Sequence, residues 1–346
     1  YPSQRFEWAF LPIYGLQSNK LAGGYRFEWH NDRNRFLNVS ESRDPFRNFS
    51  VGISGFGASL SSYDGIERSY FRQVTSYSFA PRLSPTGPEL HFGGRFIDIS
   101  EYDKGTIIEG GKAMSLDTTI TDSYLEGYIG MLQEQGFNPY EINVTYLMSD
   151  VFSRISLTAK WSAIYDEQKH RVTFRAFTGT FLNKDRALMS PDMGWRMYWG
   201  SSDLLYDHLY TNRQDVGQNT AVQTNIDQGG FRTPTSVGTS DTWIAAMNME
   251  VDFPFALPLT AFASYGAAPV TTVTQDGNTT GWSGDWEMGI GLRIWRDIAE
   301  VWVPLAFSSD IRKEQDLRGS NFADRIRIVL ALEKLDPTQA LRKLPH

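Results

Sequence analysis

Long runs in which oily and polar residues alternate one for one constrain this chain more than any other feature. Successive side chains of a β-strand point to opposite faces, so a sustained period of two marks an extended segment with one greasy and one wet side. Across residues 154–165, Ile155, Leu157, Ala159, Trp161, Ala163 and Tyr165 share one face, and Arg154, Ser156, Thr158, Lys160 and Ser162 share the other. Near the carboxyl end Trp286, Met288, Ile290, Leu292 and Ile294 oppose Glu287, Gly289, Gly291 and Arg293. Trp243, Ala245, Met247, Met249 and Val251 oppose Asn248, Glu250 and Asp252, and Ile326, Ile328 and Leu330 oppose Arg325 and Arg327.

These runs last about 10 to 13 residues, against the 9 to 11 that a tilted strand needs to cross hydrocarbon. A soluble antiparallel sandwich or propeller also alternates, but with shorter strands and turns every 8 to 12 residues or so. Aromatic residues make up 14% of the chain, 10 of them Trp, while its mean hydropathy is mildly negative. That pairing fits an apolar outer face with aromatic girdles around a polar interior. No apolar run reaches the roughly 18 residues of a membrane helix. The expected fold is therefore all-β: a transmembrane, antiparallel, up-and-down β-barrel of about 14 strands (12 to 16), with long extracellular loops and short periplasmic turns, in a bacterial outer membrane.

The barrel is expected over residues 1–335 and a periplasmic tail over 336–346. The chain opens at Tyr1 with no segment that reads as targeting, as expected of a mature product or a piece of something longer. A strand is expected at about residues 194–210. Between Ser123 and Gly136 the spacing of Leu125, Tyr128, Ile129 and Leu132 predicts a short loop helix, with an extra strand pair as the alternative.

Chemistry is sparse. The chain has no cysteine, which excludes disulfides and thiolate metal sites, and a net charge of -7, which argues against nucleic acid as a partner. None of the five histidines lies in an HExxH, and no GxSxG elbow, phosphate loop or calcium loop occurs. Asp207 and His208 are adjacent, and adjacent strand residues face opposite ways, so a polar strand end is the stronger reading there. No cofactor and no catalytic residue is expected. Glu250, Asp252, Glu287, Arg293, Arg325 and Arg327 are expected to point inward, where water and opposite charges make them tolerable.

The order of segments resembles a known group. QGGFRTPTS at residues 228–236, then WIAAMNMEVDFPF, LTAFASYG, WEMGIGLRIW, EVWVPLAF and RIRIVLALEKL, is similar to the end of the bacterial surface-antigen barrel superfamily of assembly and two-partner-secretion pores. VTFRAFTGTFLN and DLLYDHLYTNR resemble more closely the barrel that follows the peptidase region of large aminopeptidase-like zinc metallopeptidases. The resemblance implies a loop motif folded into the lumen, here Gly229, Gly230, Phe231 and Arg232, with arginine and aromatic in an unusual order. It implies an occluded barrel that anchors or scaffolds a soluble domain or partner complex. The alternatives it carries are a transport or assembly pore, or the barrel part of a metallopeptidase whose catalytic domain lies outside this chain. Outer-membrane lipid and other outer-membrane or periplasmic proteins are the expected partners.

Overall fold

The computed structural model describes residues 3–15, 20–32, 48–59, 67–80, 87–109, 112–133, 136–167, 170–190, 193–200, 203–208, 223–255, 257–274, 277–296 and 298–331. Fourteen antiparallel strands follow one another in chain order: β1 Ser3–Gly15, β2 Lys20–Asp32, β3 Asn48–Ser59, β4 Glu67–Phe79, β5 Glu89–Glu109, β6 Lys112–Gln133, β7 Tyr140–Met148, β8 Phe152–Ile164, β9 Arg171–Lys184, β10 Trp243–Asp252, β11 Leu259–Thr274, β12 Gly277–Trp295, β13 Ala299–Phe307 and β14 Arg327–Leu330. Among the described residues one α-helix, α1 (Ser309–Leu317), lies between β13 and β14. The chain divides into two compact units, residues 1–155 with 182–185, and residues 156–181 with 186–346.

The closed barrel expected from the sequence is corrected. The strand order begins at β1 and ends at β14, and among the described residues no pair joins the two, so the sheet is open. The second edge of β14 has a physical reason for staying out of a further ladder. Gln223 forms a parallel bridge with Ile328, the Thr224 N–H donates to the Ile328 carbonyl at 2.8 Å, and the Gln223 side-chain amide donates to the Leu330 carbonyl at 2.9 Å. At four residues β14 is also too short to extend the ladder by much. The transmembrane wall, the outer-membrane localisation and the anchoring function all rested on closure and fall with it. Among the described residues no helix is long and apolar enough to cross a membrane.

Two elements differ from expectation though the strand total does not. The expected helix is not there: residues 123–133 belong to β6, paired with β5 along one edge and with β7 along the other, and residues 134–135 lie outside the described residues. Gly130 fits its place in that sheet. A Cβ there would sit 1.9 Å from Asn143 Oδ1 and 2.2 Å from His91 Nε2, so only glycine lets those two side chains meet over it, at 2.5 Å. Residues 194–200 are not a ladder strand but an extended segment, held by an antiparallel bridge from Trp195 to Ser240 and a parallel one from Tyr198 to Phe231. The expected tail, 336–346, lies outside the described residues.

In the second unit the alternation is turned outward. Trp243, Met247 and Met249 of β10 are exposed, and Ile244, Ala246, Asn248 and Asp252 are buried. Along β12 Trp286, Met288, Ile290, Leu292 and Ile294 are exposed, Ile294 to 69%, whereas Glu287 and Arg293 are buried. The core lies on the other side of the sheet, where Phe177, Ile244, Ala246, Ala268 and Phe307 pack with Trp195, Met197, Phe231 and Ile311 of α1. In the first unit β1 and β2 show the same division, with Phe6, Trp8 and Phe10 exposed beside Phe27 and Tyr25 and the charged residues facing the other way.

Candidate functional site

The inner face of β9–β13 carries a cluster of ionised groups, and the loop after residue 227 is fastened to it. The loop makes its turn at Gln228 and Gly230, both at positive φ. A side chain at Gly230 would bring its Cβ within 2.6 Å of Asn248 Oδ1, and one at Gly229 within 2.5 Å of the Met197 backbone, so close backbone approach requires both glycines. Arg175 of β9 donates to the Gln228 carbonyl at 2.7 Å and to Asn248 Oδ1 at 3.1 Å, and Asn248 donates to the Gly229 carbonyl at 3.0 Å. Phe231 then enters the core, fully buried, with its N–H donating to the Met197 carbonyl at 2.9 Å.

Arg232 follows and is also fully buried. Its guanidinium lies between two rings, 4.4 Å from the centroid of Phe262 and 4.1 Å from that of Trp302. It pairs with Glu250 and donates to the Gly230 carbonyl at 3.2 Å and Ser264 Oγ at 3.3 Å. Its Nε has no hydrogen-bond partner; the ring faces supply the attraction on that side instead. Burial pushes the guanidinium's pKa below its ordinary value, and the charges of Glu250 and Glu287 oppose that shift. Glu287 of β12 receives the backbone N–H groups of Arg232 and Thr233, each at 2.7 Å.

The cluster continues along the sheet. Arg293 pairs with Glu250, lies 3.4 Å from Asp252 and 3.2 Å from Glu300, and Arg296 pairs with Asp252. Thr260 donates to Asp252 at 2.9 Å and the Trp302 indole donates to Glu300 at 3.1 Å. In this cluster three guanidiniums, from Arg232, Arg293 and Arg296, face four carboxylates, from Glu250, Asp252, Glu287 and Glu300. Such a set tolerates burial because each charge meets opposite charge or hydrogen-bond donors.

The far side of the loop is tied to α1. Ser236 donates its N–H to Glu314 at 2.9 and 3.1 Å, the Thr235 hydroxyl donates to the same carboxylate, and the Gln315 amide donates to the Pro234 carbonyl. Burial raises the Glu314 pKa, but the bonds from Ser236 and Thr235 and the Arg318 charge outweigh it and hold the carboxyl below its ordinary value.

Most residues singled out in the sequence therefore meet: Gly229, Gly230, Phe231, Arg232, Glu250, Asp252, Glu287 and Arg293. Two do not join them. Arg325 lies in a 3-10 turn, Ala323–Arg325, and its guanidinium sits 5.1 Å from the Phe307 ring centroid. Arg327 is on β14, buried, and donates to the Tyr198 hydroxyl at 3.1 Å and to the Asp324 and Ile326 carbonyls at 2.8 Å. Asn248, Arg296, Glu300 and the two rings around Arg232 were missed. Asn248 shares the parity of Glu250 and Asp252 on β10, and that was the signal available for it; β13 carries no second charge to set the side of Glu300. The His208 N–H donates to Asp203 at 2.6 Å, and its ring meets the Asn225 amide.

No protein-family model matches the chain, and no curated protein does. Among solved structures, CdiB from Acinetobacter baumannii aligns at a TM-score of 0.40 and 8% identity over 84% of this chain and 48% of that one. BamA from Haemophilus ducreyi lacking POTRA domains 1-3 aligns at a TM-score of 0.26 and 8% identity over 88% of this chain and 66% of that one. The chain thus spans about half the length of the first. Likeness at this level assigns no family, and with the sheet open the expected membership in the surface-antigen barrels, and in the peptidase-linked subgroup, is not upheld.

Proposed function

We propose that the chain is a binding sheet without chemistry of its own, whose apolar face takes the acyl chains of lipid. The observation that carries this reading is the exposed row Trp286, Met288, Ile290, Leu292 and Ile294 on β12 and, across β11, Trp243, Met247 and Met249 on β10, with no ionisable residue among the outward positions of β10 and β12. Soluble monomers rarely leave so much contiguous apolar surface in water, and burying one large apolar side chain contributes about 1.5–3 kcal/mol. Lipid suits this face better than a folded partner because it demands no matching polar groups. The inner cluster favours binding over catalysis, since its carboxylates and guanidiniums are engaged with one another and with the loop.

The test is flotation of the purified full chain with neutral phosphatidylcholine vesicles. The chain is expected to rise with the vesicles and to partition into the detergent phase on clouding. Protein that stays monodisperse in detergent-free buffer and remains at the bottom of the gradient would overturn the proposal. A detergent-independent oligomer that covers the same face would overturn it equally.

A further inference from the structure

We propose that Glu7, Glu28 and His30 form a site for a divalent cation of the zinc class on the polar face of the first hairpin. The register places them together: Glu7 of β1 stands directly opposite Glu28 of β2, and His30 is two residues further along β2 on the same face. Like charges directly opposite on paired strands destabilise a hairpin, and a cation between them relieves the repulsion. Arg26, on that face too, offsets part of the charge by donating to Glu28 Oε2 from Nε at 2.8 Å and from Nη2.

The distances favour a metal over a simple ion pair. His30 Nε2 lies 3.7 Å from Glu7 Oε2 and 3.6 Å from Glu28 Oε2, and it is buried without a hydrogen bond to either. A charge-assisted bond would draw these atoms to about 2.8 Å. Ligand atoms about 2.0–2.2 Å from a tetrahedral zinc stand roughly 3.4 Å from one another. One ligand atom from each residue fits within a mutual spacing of 4.8 Å, which modest closure around an ion would complete. One imidazole nitrogen with two carboxylates suits zinc better than magnesium or calcium, which favour oxygen alone. The Glu7 side chain is 44% exposed, so an ion has a way in and water can take the fourth position.

The test is calorimetric titration of the metal-stripped full chain with Zn2+ alone at about pH 7.5, above the ordinary imidazole pKa of about 6.5. Wild type, Glu7→Gln, His30→Gln and His170→Gln are compared. A saturable zinc site is expected in wild type and in His170→Gln. In each of the two ligand variants affinity should drop by more than the roughly tenfold that losing even a hydrogen-bond partner of a metal ligand costs. Co2+ added to wild type should give the intense visible bands of a tetrahedral centre, a readout that survives if a variant fails to fold. Zinc affinity unchanged in both ligand variants, affinity lost in His170→Gln instead, or a cobalt spectrum like that of the free hydrated ion would each overturn the proposal.

Discussion

Replacing Arg232 by alanine would take a guanidinium away from the fully buried Glu287 and leave the largely buried Glu250 with Arg293 and the charge of Lys160. Removing one partner of a buried ion pair typically costs about 3–5 kcal/mol. Arg232→Ala is therefore expected to lower unfolding free energy by about that amount in a urea titration. Arg232→Lys should fall between, because an ammonium restores the charge but not the flat stack between Phe262 and Trp302. An Arg232→Ala protein as stable as wild type would show that the loop is held by other contacts. At this scale the sequence was informative through parity. Glu250, Glu287 and Arg293 could be placed on one side of the sheet because every second residue shares a face. The ring pair around Arg232 could not be read the same way, because Trp302 lies in EVWVPLAF, a run apolar on both faces except for its glutamate.

At the scale of elements, the pairing of α1 with the loop at 234–236 depends on an ionised Glu314. Its folded pKa lies below the ordinary 4.5, so its contribution is fully present above that value and is lost as pH falls through the lower, folded one. Wild type should lose stability on going from about pH 6 to about pH 3 more steeply than Glu314→Gln. Equal slopes would show that other carboxylates set the acid limb. The helix itself was missed because its sequence, SDIRKEQDL, carries one buried apolar residue, Ile311, and so shows no apolar stripe. The opposite error arose in β6, where Leu125, Tyr128, Ile129 and Leu132 mimic helical spacing. In the sheet Leu125 and Ile129 share one face, while Tyr128 and Leu132 share the other. The extended segment 194–200 buries Trp195, Met197 and Trp199 in strand-like alternation, yet a single bridge at each of two residues is all its pairing with neighbours, and burial pattern alone does not distinguish that from a ladder.

For the molecule as a whole, the outward face separates lipid contact from folding. Ile290 projects away from the core, so Ile290→Arg should leave the unfolding free energy within about 0.5 kcal/mol of wild type. Vesicle association should weaken, since arginine on a lipid-facing strand costs up to about 2–4 kcal/mol. Unchanged flotation of a well-folded Ile290→Arg protein would show that lipid does not meet β12. Strand number, direction and sidedness were legible in the sequence because each is a local pattern. Closure was not, because it depends on whether the first and last strands meet, and no residue pattern within either one reports that. Gln223 and Thr224, lying along the outer edge of β14, have one more consequence. A strand from a neighbouring molecule arriving at that edge finds the Ile328 and Leu330 carbonyls already engaged, so growth of a misassembled sheet along that edge must first peel this short segment away.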